Sequence, residues 1–340
     1  MRVAVVGGGP AGLTAAKTAA DNGLEVTLFE HYRIGERINC GEGFFDILGL
    51  CGKPGAGVLF KVQQVLLKVN KLYRIDSTEL NLWMIDRASW QRYLAEEACT
   101  SGVKILEETP IRIQDMKLLQ QDFDWVIDAS GVSSISLKAV NNTGENRNRA
   151  ALTIQCRLEG DFSSLKNSLK AVLEPHYQGY YWIFPKKASK RGIANVGIGF
   201  FNHPSAKIDL RRELFRVLQQ ENLQNCPILE YRGGKIPLNR VSPFMRGNTL
   251  LVGDAAGLAS SLYGGGLDMA VVSGRLAALS LAQGKPHAYE QLFWKKVKRK
   301  AIIEEKIFNL WEQKGINFME TLFRNPVNFL IPSLFSLMSV

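Results

Sequence analysis

Cysteine is scarce and scattered: Cys40, Cys51, Cys99, Cys156 and Cys226 are odd in number and form no CxxC pair. That argues against a disulfide framework and against a zinc site, so no metal is expected. Long apolar runs are missing too, and none reaches the ~18 residues that span a bilayer. The chain opens on a strand-like run and a glycine turn rather than the apolar helix of a signal peptide, which places the protein in the cytoplasm. There is no internal repeat and no low-complexity linker. A second GxGxxG is also absent, so no separate nicotinamide domain is expected.

What is present reads as an ordinary globular chain. Its 340 residues, 46% hydrophobic and 22% charged, suit one large or two coupled domains. The formal net charge of +10 favours anionic partners: nucleic acid, a phosphate-bearing substrate or an anionic membrane surface. No recognised nucleic-acid module accompanies the charge, so nucleic acid is not an expected partner.

The most informative stretch is the first. A β-branched run, Met1 to Val6, leads into Gly7, Gly8, Gly9, Pro10, Ala11 and Gly12, and Leu13 to Asp21 reads as an alanine-rich helix. Gly7, Gly9 and Gly12 make GxGxxG: a tight turn, close backbone approach to a pyrophosphate, and helix-to-strand packing. A second strand, Leu24 to Phe29, ends at Glu30, where a ribose hydroxyl needs an acceptor. Together these predict a dinucleotide site.

Further along, Tyr32 to Gly43 is an irregular, glycine-containing stretch, and Asp86 to Ala98 predicts a helix with Arg87 at its start. Val103 to Leu106 and Trp125 to Ile127 suit strands of a parallel sheet, the second running into Asp128, Ala129, Ser130 and Gly131. From Ala150 the pattern becomes antiparallel in character. Thr153 to Leu158 and Ala194 to Phe201 flank Gly179 to Pro185, where alternation puts Tyr180, Trp182 and Phe184 on one face and Tyr181 and Ile183 on the other. That stripe is either core or the wall of an apolar pocket. Thr249 to Val252 leads to Gly253, Asp254, Ala255, Ala256 and Gly257, then to Gly264, Gly265 and Gly266 before a helix from Leu267 to Ala282, as though the chain returns to the same ligand. Lys295, Lys296, Lys298, Arg299 and Lys300 form a basic cluster, followed by Ile303, Ile307, Leu310 and Trp311 at helical spacing and by an apolar tail to Leu337. This segment reads either as a cap on the core or as a lipid-facing element.

Five of these motifs together resemble the geranylgeranyl reductase family of flavoproteins, and within it the archaeal-type digeranylgeranylglycerophospholipid reductases. They are the Gly7 to Gly12 turn with Glu30, CGEG at Cys40 to Gly43, the helix from Asp86, GYYWIFP with ANVGIG, and GDAAG with GGG. The resemblance covers most of the first 285 residues. Ser261 and Tyr177 stand where the family pattern has proline, and the C-terminal tail matches no motif of the family.

The resemblance implies a p-hydroxybenzoate hydroxylase-like fold: α/β with α+β elements, a Rossmann-type FAD-binding domain interwoven with an antiparallel-sheet substrate domain. The implied division is 1–75, 76–150 and 246–285 for FAD, 151–245 for the substrate sheet, and 286–340 for a basic and apolar helical segment. It implies FAD held by Gly7, Gly9, Ala11, Gly12, Glu30, Gly41, Arg87, Ala129, Gly253 and Asp254, with the amides of Gly264, Gly265 and Gly266 facing the flavin ring. Tyr180, Trp182 and Phe184 would line a channel for an isoprenoid chain, and Cys40 would act as a gate or proton donor. The implied reaction is saturation of polyprenyl double bonds on lipids, with electrons from NADPH or ferredoxin and peripheral contact at a membrane surface. The competing expectations are a flavin monooxygenase or halogenase of the same fold, and a non-catalytic electron-transfer flavoprotein.

Overall fold

A computed structural model describes residues 1–139, 150–201 and 208–324. The chain begins with β1 (Arg2–Val6), α1 (Pro10–Asp21) and β2 (Glu25–Phe29). Five strands follow: β3 (Gly43–Asp46), β4 (Val58–Lys61), β5 (Gln64–Lys68), β6 (Leu72–Asp76) and β7 (Asn81–Ile85). Next come α2 (Arg87–Thr100), β8 (Lys104–Leu106), α3 (Met116–Asp122), β9 (Trp125–Asp128) and α4 (Ile135–Ala139). The middle of the chain supplies β10 (Ala150–Gly160), β11 (Ser168–Leu173), β12 (Gly179–Lys187), β13 (Gly192–Phe200), α5 (Leu210–Gln220) and β14 (Ile228–Pro237). It ends with β15 (Met245–Arg246), β16 (Thr249–Leu251), α6 (Leu267–Ala282), α7 (Tyr289–Lys314) and α8 (Ile316–Arg324).

Three sheets result. The first, in the order β15-β16-β9-β1-β2-β8, is parallel apart from the β15–β16 edge. Its centre is buried on both faces, with Val3, Ala4 and Val5 wholly inaccessible, which is why β1 reads as an unbroken apolar run. The second, β14-β10-β13-β12-β11-β5-β6, is antiparallel except for the parallel β11–β5 pair. The third is the small antiparallel set β3-β7-β4.

The interwoven two-sheet arrangement is as expected, but the division at residue 75 is not. Gln64 to Lys68 pairs in register with Ser168 to Val172, so β5 and β6 belong to the seven-stranded sheet and not to the first dinucleotide segment. The chain thus crosses between sheets well before residue 151. The first helix also starts earlier than Leu13, because Pro10 takes the first helical position, where its missing N–H costs nothing. α1 then lies directly on α6: a Cβ at Gly274 would collide with Ala11 O, so a small residue is required at the crossing.

In the C-terminal segment, α7 buries Phe293, Val297, Lys300, Glu304, Ile307, Phe308 and Trp311 along one stripe. Lys300, one of the five residues of the basic cluster, is turned inward and only 2% exposed. Glu320 of α8 accepts from Asn70 N at 2.9 Å and from Tyr73 Oη at 2.5 Å, which ties this helix to the β5–β6 hairpin. The apolar tail from Phe329 to Leu337 lies outside the described residues.

Candidate functional site

The glycines of the first turn have different tasks. A Cβ at Gly7 (φ +108) would collide with Ala129 O, and one at Gly12 with Gly7 O, so both are consumed where the turn packs on itself and on the end of β9. Gly9 is different: an added Cβ meets no atom within 4 Å, and the residue lines a cleft of about 310 Å³. Space is kept open at the start of α1, where unpaired N–H groups and the helix dipole favour a negative group.

The cleft gathers residues from distant parts of the chain. Gly9 and Ala11 come from the first turn, Cys40 and Gly41 from the loop before β3, Arg87 from the start of α2, and Ala129 from the turn after β9. Asp254 and Gly264 to Gly266 arrive from the segment before α6, while Tyr180, Trp182 and Phe184 form the side supplied by β12. Gly7, Gly12, Glu30 and Gly253 do not line it. Glu30 ends β2 with Oε2 accepting from Gly8 N at 2.5 Å and Oε1 from Tyr32 N at 2.9 Å. Gly253, at φ +57, is buried against Ala11. The Gly264 N–H donates to Ser260 O at 2.9 Å, so it is spent inside the loop and does not face the cleft as the triplet expectation had it.

Several polar groups on the cleft lack a protein partner. Arg87 Nε and Trp182 Nε1 are buried without one among the described residues. Arg87 is otherwise anchored, donating from Nη2 to Gln91 Oε1 at 3.1 Å, and Gln91 in turn donates to Gly8 O at 2.7 Å. Burial pushes the Asp254 carboxyl above its ordinary range, opposed by the Arg87 guanidinium. Buried donors left unpaired call for a ligand. An unpaired guanidinium N–H, an unpaired indole N–H and a glycine with nothing before it fit a dinucleotide, which carries a pyrophosphate at its middle and a ring with acceptors at one end.

The loop bearing Cys40 is held by groups the sequence reading did not single out. Glu42, 2% exposed and at φ +68, accepts from Arg87 N at 3.0 Å, from Asn195 Nδ2 at 2.7 Å and from Lys186 Nζ at 2.9 Å. Lys186 also reaches Asp86 Oδ2 at 2.8 Å. Burial alone would raise Asp86, but Lys186 and the Ser89 N–H hold its carboxyl well below the usual range. Cys40 Sγ accepts from Glu42 N at 3.3 Å, so the thiol is positioned by the same loop.

A second cavity, of about 290 Å³, lies beside the cleft. Leu67 of β5, Leu169 and Ala171 of β11, Leu82 of β7, Trp311 of α7 and Phe323 of α8 are among its walls, and among the described residues polar side chains enter it at Ser77, Glu304 and two tyrosines. Phe45, Tyr180, Phe184 and Tyr263 line both spaces and form the wall between them. Trp182, expected in this channel, faces only the cleft. Gly197 and Gly199 of the neighbouring strand leave room for its indole, and a Cβ at Gly197 would collide with it. The glycines of ANVGIG thus serve the tryptophan of GYYWIFP. Neither reading of the C-terminal segment anticipated that its helices wall this cavity.

Gly7→Ala should destabilise the fold by on the order of 2 kcal/mol through forced φ and collision, read as a lowered Tm. Gly9→Ala should leave the Tm of the ligand-free protein unchanged and weaken dinucleotide binding. Lys186→Met leaves two carboxylates without their cation and should cost about 3–5 kcal/mol at pH 7. Because the Asp86 carboxyl is depressed in the fold, its share of that stability is present above about pH 4 and is lost on further acidification. Urea titrations at pH 7 and pH 3 would check both the size and the direction.

Residues 1–154 match the family described as pyridine nucleotide-disulphide oxidoreductase. All five cysteines are free, so no dithiol pair accompanies that match. The digeranylgeranylglycerophospholipid reductase of Methanosarcina mazei is 28% identical over 304 residues, covering 81% of this chain and 73% of its own. The enzyme of that name from Methanocella arvoryzae is 29% identical, covering 82% and 77%. Among solved structures, a geranylgeranyl bacteriochlorophyll reductase-like protein from Thermoplasma acidophilum superposes with a TM-score of 0.76 at 24% identity, over 90% of this chain and 87% of that one. The flavin-dependent halogenase CmlS shares the fold at a TM-score of 0.65 and 18% identity, over 88% of this chain and 62% of that one. The resemblance carried by the five motifs is borne out: this chain is a flavin-dependent oxidoreductase similar to the geranylgeranyl reductases.

Proposed function

We propose that the protein uses FAD to saturate carbon–carbon double bonds of polyprenyl groups on lipids. The observation that carries this reading is the apolar cavity beside the cleft, separated from it by four aromatic side chains. A prenyl chain would lie in the cavity, with its reacting bond brought to the shared wall.

In the cleft, Gly9, Ala11 and Arg87 would hold the pyrophosphate, Asp254 the ribityl region, and Gly265 and Gly266 the ring, while Glu30, outside the cleft beyond the end of β2, would hold the adenosine ribose. Bound FAD supplies the hydride. The chain's own part follows from the substrate. An unactivated alkene has no carbonyl to polarise, so alignment and exclusion of water are what the walls provide. Phe45, Phe184 and Tyr180 meet that demand, and Cys40, set in the opposite loop, is the gate of the cleft. Electrons come from NADPH or a reduced ferredoxin. The exposed Lys295, Lys296 and Lys298 of α7 suit a phosphate-bearing lipid surface. No helix among the described residues is long and apolar enough to cross a membrane.

The test is mass spectrometry of a geranylgeranyl-bearing phospholipid incubated anaerobically with the protein and dithionite-reduced FAD. A gain of about two mass units per bond, with flavin reoxidation, is the expected result. Flavin oxidation only on admitting oxygen, with no mass gain, would point instead to monooxygenase chemistry. Ala171→Trp should fill the cavity and reduce turnover of the twenty-carbon chain at least ten-fold relative to a five-carbon prenyl substrate, with flavin content unchanged. The overpacking itself costs roughly 1–3 kcal/mol, measurable as a separate loss of Tm.

A further inference from the structure

Saturating an alkene needs a proton as well as a hydride, and the wall between the two spaces holds few exchangeable protons. The Tyr180 hydroxyl donates to Tyr263 O at 2.7 Å and is committed there. The Ser77 hydroxyl donates to Val62 O at 3.0 Å. Cys40 lines the cleft but not the apolar cavity. The Tyr263 hydroxyl is buried with no hydrogen-bond partner among the described residues, and its residue lines both spaces.

Behind Tyr263 lies a buried ionic cluster with no counterpart among the other described residues of the cavity walls. Lys300 Nζ sits 5.5 Å from the Tyr263 ring centroid, 2.9 Å from Glu304 Oε1 and 3.9 Å from Asp268 Oδ2. Lys300, Glu304 and Asp268 are each 3% exposed or less. Lys300 and Glu304 also line a small groove of about 20 Å³ that includes Ser260 and reaches the exposed Arg240. That space is enough for a single water. Burying three ionisable groups beside an apolar cavity is costly, and neither the cofactor nor the prenyl chain calls for them.

We propose that Tyr263 is the proton donor of the reduction and that Lys300 is the positioning residue that returns its proton. The assignment rests on the prenyl reductase reading. Reduced flavin, when bound, would supply the hydride that forms a C–H bond at one alkene carbon, and the π pair, left on the other carbon, would take the Tyr263 hydroxyl proton as its O–H bond breaks. The alkene is reduced by two electrons and the flavin oxidised by two. The phenolate left behind takes a proton from the Lys300 ammonium, and the amine is reprotonated by water through the groove beside Glu304. The charged groups facing Tyr263 are Lys300 and Glu304 from α7 and Asp268 from α6, while Phe45 of β3 and Tyr180 of β12 contribute no charge. Burial raises the Tyr263 hydroxyl above its ordinary range, Lys300 acts against that rise, and Glu304 and Asp268 add to it.

The experiment is anaerobic single-turnover reoxidation of the reduced holoenzyme by a geranylgeranyl lipid, comparing the parent protein, Tyr263→Phe and Cys40→Ala, with product mass as a second readout. Tyr263→Phe should slow reduction at least 10²-fold, as expected for loss of a general acid. In flavin-free protein carrying difluorotyrosine at position 263, the ¹⁹F resonance should titrate at lower pH than in the same protein with Lys300→Met. A parent that reduces no prenyl lipid overturns the reductase reading and this assignment with it. An active parent with Tyr263→Phe within three-fold of it overturns the assignment alone, as does a ¹⁹F titration unmoved by Lys300→Met. If Cys40→Ala abolishes reduction while Tyr263→Phe does not, the donor is Cys40.

Discussion

The site depends on one buried carboxylate. Glu42 receives the backbone N–H that opens α2, the ammonium of Lys186 on β12 and the amide of Asn195 on β13, so a single side chain joins the dinucleotide half to the seven-stranded sheet. Its left-handed backbone turns the loop so that Cys40, Gly41 and Glu42 itself all line the cleft. Charge-assisted hydrogen bonds of this kind are strong because every partner is ordered and little water competes. Together with the bonds from Gln155 Nε2 to Cys40 O at 2.8 Å and from Asn195 Nδ2 to Gly41 O at 3.2 Å, they set the separation between the first glycine turn and the aromatic strand.

Two environments that are hard to reconcile meet at that separation. On the proposed reading the cleft would satisfy phosphate and ring acceptors with N–H groups and a guanidinium, whereas the neighbouring cavity would offer an alkene mainly apolar contact. Four aromatic side chains keep the two spaces apart. Each presents an apolar body to the cavity, and the two tyrosines add a hydroxyl where one is needed. The halogenase neighbours show that this scaffold carries other chemistry, so the distinguishing content lies in the wall and the cavity behind it.

Much of this was legible in the sequence. The strand, glycine turn and helix at the start, the return through Gly253 to Gly266 and the alternating faces of β12 follow from period and residue type alone. What escaped depended on partners distant in the chain. Trp182 shares a face with Tyr180 and Phe184, yet its direction is set by Gly197 on the next strand. β5 has no local signature of the sheet it joins, because its register is with residues a hundred positions away, and β6 follows it there only through their hairpin. Lys300 is one of the five residues of the basic cluster. Its spacing from Val297, Glu304 and Trp311 places it on the buried stripe of α7, a signal that the composition of the cluster concealed. The role of Glu42 was hidden for a similar reason, since two of its partners lie about 150 residues downstream.

The tie between Glu320 and the β5–β6 hairpin bears on how the protein is made. Leu67 and Ile75 of the hairpin and Met319, Leu322 and Phe323 of α8 are walls of one cavity, although some 250 residues separate them. On the ribosome, at roughly 5–20 residues per second, the hairpin emerges well before its covering helix. In that interval the seven-stranded sheet carries an open greasy trough with an unprotected edge strand. Truncations within α8 should therefore uncover this trough and betray themselves first as aggregation during synthesis.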